Sequence, residues 1–378
     1  MVCLSTLVTG LGLATVAFSH PGHNVKAEAA ERAAALQGIR ARGLSQCSTA
    51  LNARGVEARN IARRDSILKQ LRQERGLTGP LLKARDLAPL NTSHASNLDV
   101  DLSTDPEVLF ASGGSCVLAE DTTQGPYYVA GEMIRNNLIE DQPGVPLYLD
   151  IQLIDSNTCK PVPDVYIDFW HCNATGVYSG VMAQGNGDSS DTSNLDATWL
   201  RGLQRTDTLG VAQFTTIFPG HYTGRATHMH ILSHPANETT VNRNNHTITG
   251  LYTSMSSHVG QVFFDQDLIS TVEETEPYAS NEQETTLNED DTILVQELEN
   301  NIDPFVEYVL VGDKVEDGVF AWISFVIDAK ESTEVQPAAY LTEEGGVENE
   351  NSGMGMGGPP GGAPGEMPSG VPTGAPPS

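Results

Sequence analysis

The stretch Leu147-Tyr148-Leu149-Asp150-Ile151-Gln152-Leu153-Ile154 predicts a β-strand, because apolar residues alternate with other side chains along it. Alternation with a period of two places the apolar residues on one face, so we expect a half-buried strand. A turn follows at Ser156-Asn157, and Val165 to Trp170 is the next predicted strand. This spacing of strand, turn and strand is typical of a β-rich core.

Five further β-branched and aromatic runs, separated by turn residues, continue the series. They are Gln213 to Ile217, Thr227 to Leu232, Gln261 to Phe264, Val306 to Val311 and Val319 to Ile327. The pattern indicates a sandwich or barrel, not a series of βαβ units. The fold class predicted from it is mainly β, with an antiparallel β-sandwich core over residues 115–330.

The segments that flank this core differ from it in composition. Residues 20–86 form a basic segment with apolar side chains at helical spacing, which predicts two or three helices broken at glycines such as Gly55. Residues 87–114 are polar and lack periodicity, so we expect a linker arm. Residues 331–378 are acidic and then rich in Gly, Pro and Met, a composition that predicts a disordered tail.

The net charge of the chain is strongly negative, at -28. Such a charge argues against nucleic acid, an anionic membrane surface or phosphate groups as partners. The charge is unevenly placed, because Lys and Arg outnumber Asp and Glu between Val25 and Arg85. A basic segment on an acidic chain is expected either to fold back onto the acidic body or to be removed with a leader.

The first 19 residues contain a short apolar run that ends in Ala17-Phe18-Ser19, which predicts a cleaved signal peptide. Four Asn-x-Ser/Thr sequences could carry glycans on a secreted chain, at Asn91, Asn173, Asn237 and Asn245. Four cysteines follow the leader, an even number that suits two disulfides in an oxidising compartment: Cys47, Cys116, Cys159 and Cys172. Their pairing stays open. These features predict a secreted, extracellular glycoprotein.

The densest cluster of candidate metal ligands lies between Pro219 and His230. On a strand, His228 and His230 point to the same face, one pleat apart, where two imidazoles can share one metal. Thr227, Met229 and Ile231 occupy the opposite face. An H-x-H pair is as often two surface histidines as a ligand pair, but here the histidine face has no other packing role.

A second segment, Asp168-Phe169-Trp170-His171-Cys172-Asn173-Ala174-Thr175-Gly176-Val177-Tyr178-Ser179, ends a predicted strand and enters a loop that exposes Tyr178. Such a tyrosine alone most often only packs. Together, W-x-x-N-x-x-G-x-Y-S, L-R-G-x-x-x-T-D-x-x-G from Leu200, P-x-x-Y and R-x-x-H-x-H resemble the intradiol ring-cleavage dioxygenases. Gly125-Pro126-Tyr127-Tyr128 and the strand from Gly260 to Phe264 extend this resemblance over roughly residues 116–265.

The resemblance implies a secreted, fungal-type member of a family that opens catechol-type aromatic diols with O2, as in aromatic compound catabolism. It implies that non-haem Fe(III) is the cofactor, and that its ligands are Tyr178, Tyr222, His228 and His230. Two phenolates and two imidazoles are donors that favour iron(III) over iron(II). The family's catalytic arginine and its glutamine partner correspond to Arg225 and Gln261, and Tyr222 also serves as the internal base.

The chain departs from the family at two places beside these residues. Ala226-Thr227 replaces the usual Pro-Ala, which leaves the ligands unchanged but predicts a less rigid loop. His221 precedes Tyr222 and is expected to face solvent. The N-terminal helices take the place of a helical dimerisation region without any residue-level match, so a homodimer is a possible assembly that the resemblance only suggests.

Two other classes of function remain open from the sequence. One is a catalytically idle secreted β-sandwich that binds glycans or polyphenols, which iron content would distinguish from an enzyme. The other is copper binding by His20, which cleavage after Ser19 would place at the amino terminus. For an enzyme, no carboxylate-binding cation is evident near Tyr127 and Tyr178, which favours neutral catechols or hydroxyquinol over protocatechuate.

Overall fold

A computed structural model describes residues 44–78, 110, 115–117, 125–183, 185–188, 190–235, 240–241, 248–249, 255–256, 258–299, 303–330 and 333–350. The predicted signal peptide, His20, three of the four glycosylation sequences, nearly all of the arm, and residues 351–378 of the predicted tail lie outside them. Within the described residues, no helix has the length and apolar character needed to cross a membrane.

Four α-helices and sixteen strands are described, as expected for a mainly β chain. The helices are α1 (Leu44–Ala53), α2 (Val56–Glu74), α3 (Gln266–Glu273) and α4 (Thr292–Glu299). The strands are β1 (Ser115–Val117), β2 (Val129–Ala130), β3 (Pro146–Asp155), β4 (Val165–Trp170), β5 (Arg201–Arg205), β6 (Val211–Ile217), β7 (His228–Pro235), β8 (Thr240–Val241), β9 (Ile248–Thr249), β10 (Met255–Ser256), β11 (His258–Phe263), β12 (Glu307–Leu310), β13 (Val319–Ile327), β14 (Thr333–Glu334), β15 (Ala339–Thr342) and β16 (Gly345–Glu348). Short 3₁₀ helices lie at Thr192–Asp196, Tyr278–Ser280, Asn288–Asp290 and Val315–Asp317.

The first large sheet has the order β1-β13-β3-β6, with β12 also paired to β13. Strands β3 and β13 run parallel, with Leu147 opposite Val319, whereas β3 and β6 are antiparallel. The predicted mainly β fold with a β-sandwich core is confirmed, and this one of its two large sheets is mixed, whereas an antiparallel sheet was expected. Parallel strands cannot be joined by a short hairpin and need a long connection. The chain between β3 and β13 provides one, because the paired residues of the two strands are about 170 positions apart.

The second large sheet has the order β11-β7-β4-β5 and is antiparallel throughout. Strand β5, which the apolar pattern did not predict, forms its edge next to β4. Trp170 is paired with Arg201 on one side and with His230 on the other, and His230 is paired with Gln261. Because directly opposite residues share a face, these four side chains form one row across the sheet.

The hydrophobic core lies between the two sheets, where the alternating residues of each strand meet. Leu149 and Ile151 of β3 pack there with Phe169 of β4 and with Met229 and Ile231 of β7, and each is at most 2% exposed. Burial of side chains of this size contributes about 1.5–3 kcal/mol each. The predicted alternation of β3 and β7 is thus confirmed, and the histidines of β7 face away from this core.

The outer face of the first sheet is covered by the basic helices, so β3 is buried on both faces rather than on one. Asp150 is fully buried and accepts hydrogen bonds from Arg63, at 2.8 Å, and from Arg64, at 3.3 Å. Gln152 pairs with Asn60 at 2.7 Å. Of the two expectations for the basic segment, folding back onto the acidic body is the one that the structure confirms.

The outer face of the second sheet is covered by a layer of loops and short strands. β15 pairs in parallel with β2, and β15 and β16 form a hairpin, so residues 339–348 of the predicted tail belong to this layer. Tyr127, Tyr178 and Tyr222 lie in the same layer and belong to one hydrophobic cluster with Trp170. The candidate active site lies between this layer and the sheet.

The cysteines form a single disulfide among the described side chains, and it joins Cys47 of α1 to Cys159 after β3. Cys172 is a buried free thiol that donates a hydrogen bond to the carbonyl of Gly220 at 3.3 Å. The expectation of two disulfides among four cysteines is therefore wrong. Cys172 lies two residues after the end of β4, and it is enclosed beneath the site loops.

Candidate active site

Strand β7 carries the two candidate imidazole ligands. His228 and His230 lie on its outer face, each 1% exposed, and their Nε2 atoms are 3.1 Å apart. Trp170 stacks on His230 with ring centroids 4.9 Å apart and an interplanar angle of 5°. The predicted common face is confirmed, and the indole fixes the plane of one imidazole.

The protonation state of His228 is set by its surroundings. Its Nδ1 lies 2.6 Å from the carbonyl oxygen of Ala226, and because a carbonyl can only accept, Nδ1 carries the proton. Burial, together with the nearby Arg225 charge, holds the pKa of His228 well below its usual value. The ring is therefore neutral, and the Nε2 lone pair faces the centre of the site, as metal binding requires.

Tyr178 is brought to the histidines by the loop that follows β4. Asn173 organises this loop, because its Oδ1 accepts hydrogen bonds from the main chain of Thr175 and Val177, each at 3.0 Å. The phenol oxygen of Tyr178 lies 3.2 Å from His230 Nε2. The expectation of an exposed tyrosine is wrong: Tyr178 is fully buried, because Tyr127 stacks on its ring at 4.4 Å.

Tyr222 reaches the same point from the loop before β7. Its phenol oxygen lies 3.3 Å from His228 Nε2, and the side chain is 5% exposed. The two tyrosine loops touch at Gly176, which has a φ of +81°, and a Cβ there would collide with the carbonyl of His221. Glycine is required at this position both for the left-handed conformation and for the close approach.

The four predicted ligands thus converge on one buried point. Burial raises the pKa of both phenols above 10, so Tyr178 and Tyr222 stay protonated unless a cation binds them. Within the described residues, no group of three or more His, Cys, Asp or Glu side chains is placed to hold a metal ion. The candidate centre meets the need for four donors only because two of them are tyrosines.

His221, expected to face solvent, is instead buried at 4% exposure. Its Nδ1 lies 2.8 Å from Glu273 of α3, and its Nε2 lies 2.9 Å from the carbonyl oxygen of Gln283. Burial alone would lower the pKa of His221, but the hydrogen bonds to these two acceptors outweigh it and raise the pKa. His221 therefore ties the Tyr222 loop to the segment after α3.

Arg225 lies beside the four ligands and is 1% exposed. Its Nε donates to Asp291 at 2.9 Å, and its Nη2 donates to Gln261 Oε1 at 2.5 Å. The predicted partnership of Arg225 and Gln261 is a direct contact in the structure. Asp291 is a further partner that the sequence did not indicate, because it follows the exposed acidic residues Glu289 and Asp290 and resembles them.

Comparison with known proteins gives a family for the part of the chain that holds these residues. Residues 123–285 match the family described as Dioxygenase. All of the candidate site residues described above except Asp291 lie within this match to a dioxygenase family. No curated protein matches the chain.

Several solved structures are similar to this chain. An intradiol ring-cleavage dioxygenase from Tetranychus urticae is 27% identical, over 58% of this chain and 96% of that chain, with a TM-score of 0.44. Hydroxyquinol 1,2-dioxygenase from Pseudomonas putida DLL-E4 is 17% identical, over 56% of this chain and 66% of that chain, with a TM-score of 0.33. Catechol 1,2-dioxygenase from Acinetobacter sp. ADP1 is 18% identical, over 56% of this chain and 62% of that chain, with a TM-score of 0.31.

The matched residues 123–285 also include positioning residues that the sequence did not indicate. Arg201 of β5 donates two hydrogen bonds to the carbonyl of Ser179, at 2.9 and 2.6 Å, and so fixes the residue after Tyr178. Gln283 donates to the carbonyl of Thr175 at 2.8 Å and accepts from the amide of Thr223 at 3.4 Å. Gln283 thereby joins the two loops that carry the tyrosines.

Proposed function

We propose that this chain is a non-haem iron(III) intradiol dioxygenase that opens catechol-type diols with O2 to muconate-type diacids. The observation that carries the proposal is the convergence of two phenol oxygens and two imidazole nitrogens, with successive separations of 3.1–3.3 Å, beside the buried Arg225. Two donor atoms that bind one first-row metal at about 2 Å lie roughly 3 Å apart.

The four side chains fit iron(III) by their chemistry. Tyr178 and Tyr222 would bind as phenolates and His228 and His230 as neutral imidazoles, so the ligand set carries two negative charges in a buried site. Iron(III) held there would act as a Lewis acid, drawing electron density from a bound aromatic diolate and making its ring susceptible to O2.

The residues of the chain have separate tasks in this reaction. His228 is held in one tautomer by Ala226, and Trp170 orients His230, so neither imidazole needs to reorganise on binding. Tyr222, once bound as a phenolate, would accept a proton from a diol hydroxyl. Arg225 Nη1 is a buried donor without a hydrogen-bond partner among the described residues, and it is available for charge that develops on the opening ring.

We propose neutral catechols or hydroxyquinol as the substrate class. A substrate carboxylate would require a cation that is not already engaged. Among the described residues around the tyrosine and histidine cluster, Arg225 is paired with Asp291, and Arg201 is bonded to Ser179. The alternative of an idle glycan- or polyphenol-binding sandwich is disfavoured, because a binding module has no need of the whole ligand set together with Arg225 and Gln261.

We further propose that the protein is secreted. The Cys47–Cys159 disulfide supports an oxidising compartment, in agreement with the predicted leader. Asn173 is a poor glycan acceptor, because its amide is half-buried and donates to Gln142 at 3.3 Å. Glycans are therefore expected at the other three sequences. The homodimer stays a prediction, and light scattering of the purified chain would test it.

The experiment that tests the proposed function combines metal content, visible spectrum and product analysis. The parent chain should bind about one iron, show a phenolate-to-iron charge-transfer band, and convert catechol to the acyclic diacid. His228→Ala should lose iron, colour and turnover together. Arg225→Ala should keep iron and colour and slow ring opening by roughly 10²-fold. A colourless, inactive parent after iron reconstitution, or a semialdehyde product, would refute the proposal.

A further inference from the structure

Asp291 lies shortly after the end of the matched residues 123–285, and its side chain contacts Arg225 of the candidate site. Its Oδ2 accepts a hydrogen bond from Arg225 Nε at 2.9 Å and another from the amide of Ala226 at 2.7 Å. The carboxylate is fully buried, which alone would raise its pKa, but the positive charge of Arg225 together with hydrogen bonds from the main chain keeps the pKa below its usual value. A buried carboxylate paired in this way is ionised, and it balances the guanidinium.

The other oxygen of Asp291 is fixed by a helix. Oδ1 accepts from the amides of Ile293, at 2.9 Å, and Leu294, at 3.0 Å, in the first turn of α4. These are amides that a helix leaves unsatisfied, so Asp291 is the N-cap of α4. The position of the carboxylate is therefore determined by the helix and does not depend on the arginine.

The direction of the Arg225 guanidinium follows from its two fixed contacts. The group is planar, and Asp291 holds Nε while Gln261 holds Nη2, so the direction of Nη1 is determined. Residue Ala226 is held by the same carboxylate through its amide, and its carbonyl accepts from His228 Nδ1. Asp291 thus acts on both the arginine and the loop that orients one imidazole.

We infer that Asp291 is the positioning residue that aims Arg225 Nη1 at the reacting ring. The inference rests on the proposed function for the task of Arg225, whereas the geometry of the pair does not depend on it. The simpler reading is that Asp291 is a helix cap whose contact with Arg225 is incidental. The two readings differ in whether an Asp291 variant acts through Arg225.

The first test measures the geometry without any turnover. In the metal-free, full-length chain, the Arg225 Nε–H signal in a nitrogen-15 NMR spectrum is the one that Arg225→Ala removes. It should exchange slowly with solvent in the parent, and at least roughly 10-fold faster in Asp291→Asn. The matched control is Asp290→Asn, which changes the exposed neighbouring carboxylate and should leave the rate unchanged. Equal exchange rates in Asp291→Asn and the parent would overturn the inference.

The second test is a double-mutant cycle with catechol and the iron-loaded chain. Asp291→Asn should lower kcat by at least roughly 10-fold in the parent, and by less than about 2-fold in the Arg225→Ala background. The same fold-loss in both backgrounds would show that Asp291 does not act through Arg225, and it would overturn the inference. If the loaded parent opens no catechol, the proposed function fails, and the exchange rate of the Arg225 Nε–H alone decides whether Asp291 positions it.

Discussion

Replacing Gln283 with alanine should weaken iron binding, although Gln283 is not a ligand. Its side chain joins the Tyr178 loop, through the carbonyl of Thr175, to the Tyr222 loop, through the amide of Thr223. Without this link, the two loops can separate in the metal-free protein, and binding must then bring the two phenols together again. The entropy of ordering the loops appears as a loss of metal affinity.

The size of this effect follows from the bonds that the substitution removes. The bond to Thr175, at 2.8 Å, is worth about 1 kcal/mol, and the bond to Thr223, at 3.4 Å, is longer and worth less. The hydrogen bond from His221 to the main-chain carbonyl of Gln283 survives and limits the loss. A total of about 1–2 kcal/mol corresponds to a roughly 5- to 30-fold weaker iron affinity.

The assay is a titration of metal-free, full-length chain with iron(III) supplied from a weak chelator, followed by the charge-transfer band. Glu284→Ala is the matched control, because it removes the exposed side chain next to Gln283 without touching either tyrosine loop. Gln283→Ala should show the 5- to 30-fold loss relative to Glu284→Ala. Affinities within about 2-fold of each other would refute the coupling of the loops through Gln283.

Two further predictions concern stability. The Cys47–Cys159 bond spans 112 residues, so its replacement by two alanines should lower the free energy of unfolding by about 5 kcal/mol in urea denaturation, whereas Cys172→Ala should not reproduce this loss. Burial raises the pKa of Glu132 from 4.5 to about 8, against the opposing charge of Arg201. Its contribution to stability is complete below about pH 4.5 and is lost as the pH rises through about 8, at roughly 1.4 kcal/mol per pH unit. Glu132→Gln should flatten this slope between pH 5 and 8, and an unchanged slope would contradict the assignment.

The parts of the fold and the site that the sequence predicts are those that depend on local periodicity. Alternation along β7 is sufficient to place His228 and His230 on one face, because the period of a strand does not depend on its neighbours. The same reasoning places Leu149 and Ile151 in the core. It cannot predict what covers the opposite face of β3, which is why the burial of Asp150 by the helix residues was missed.

The residues that the sequence does not reveal act through contacts between distant segments. Tyr178 is buried by Tyr127, some 50 residues earlier, and the buried thiol of Cys172 bonds to the carbonyl of Gly220, 48 residues later. Asp291 follows Glu289 and Asp290, and only the position of α4 separates it from these exposed neighbours. A run of carboxylates has no periodicity that marks one member as buried, so its role becomes visible only in three dimensions.

The two tyrosines differ in how firmly their rings are held, and this difference bears on which of them can act as a base. The ring of Tyr178 is stacked on Tyr127 at 4.4 Å, whereas the ring contacts of Tyr222 among the described residues are all edge-on, at 5.6–6.1 Å. The main chain on either side of Tyr222 is held in place, because Asn281 donates to the carbonyl of His221 at 2.8 Å and Thr286 accepts from the amide of Gly224 at 3.1 Å. Movement of the Tyr222 oxygen towards a substrate proton must therefore be a rotation of the side chain on a fixed backbone, and the stacking of Tyr178 disfavours the same rotation there.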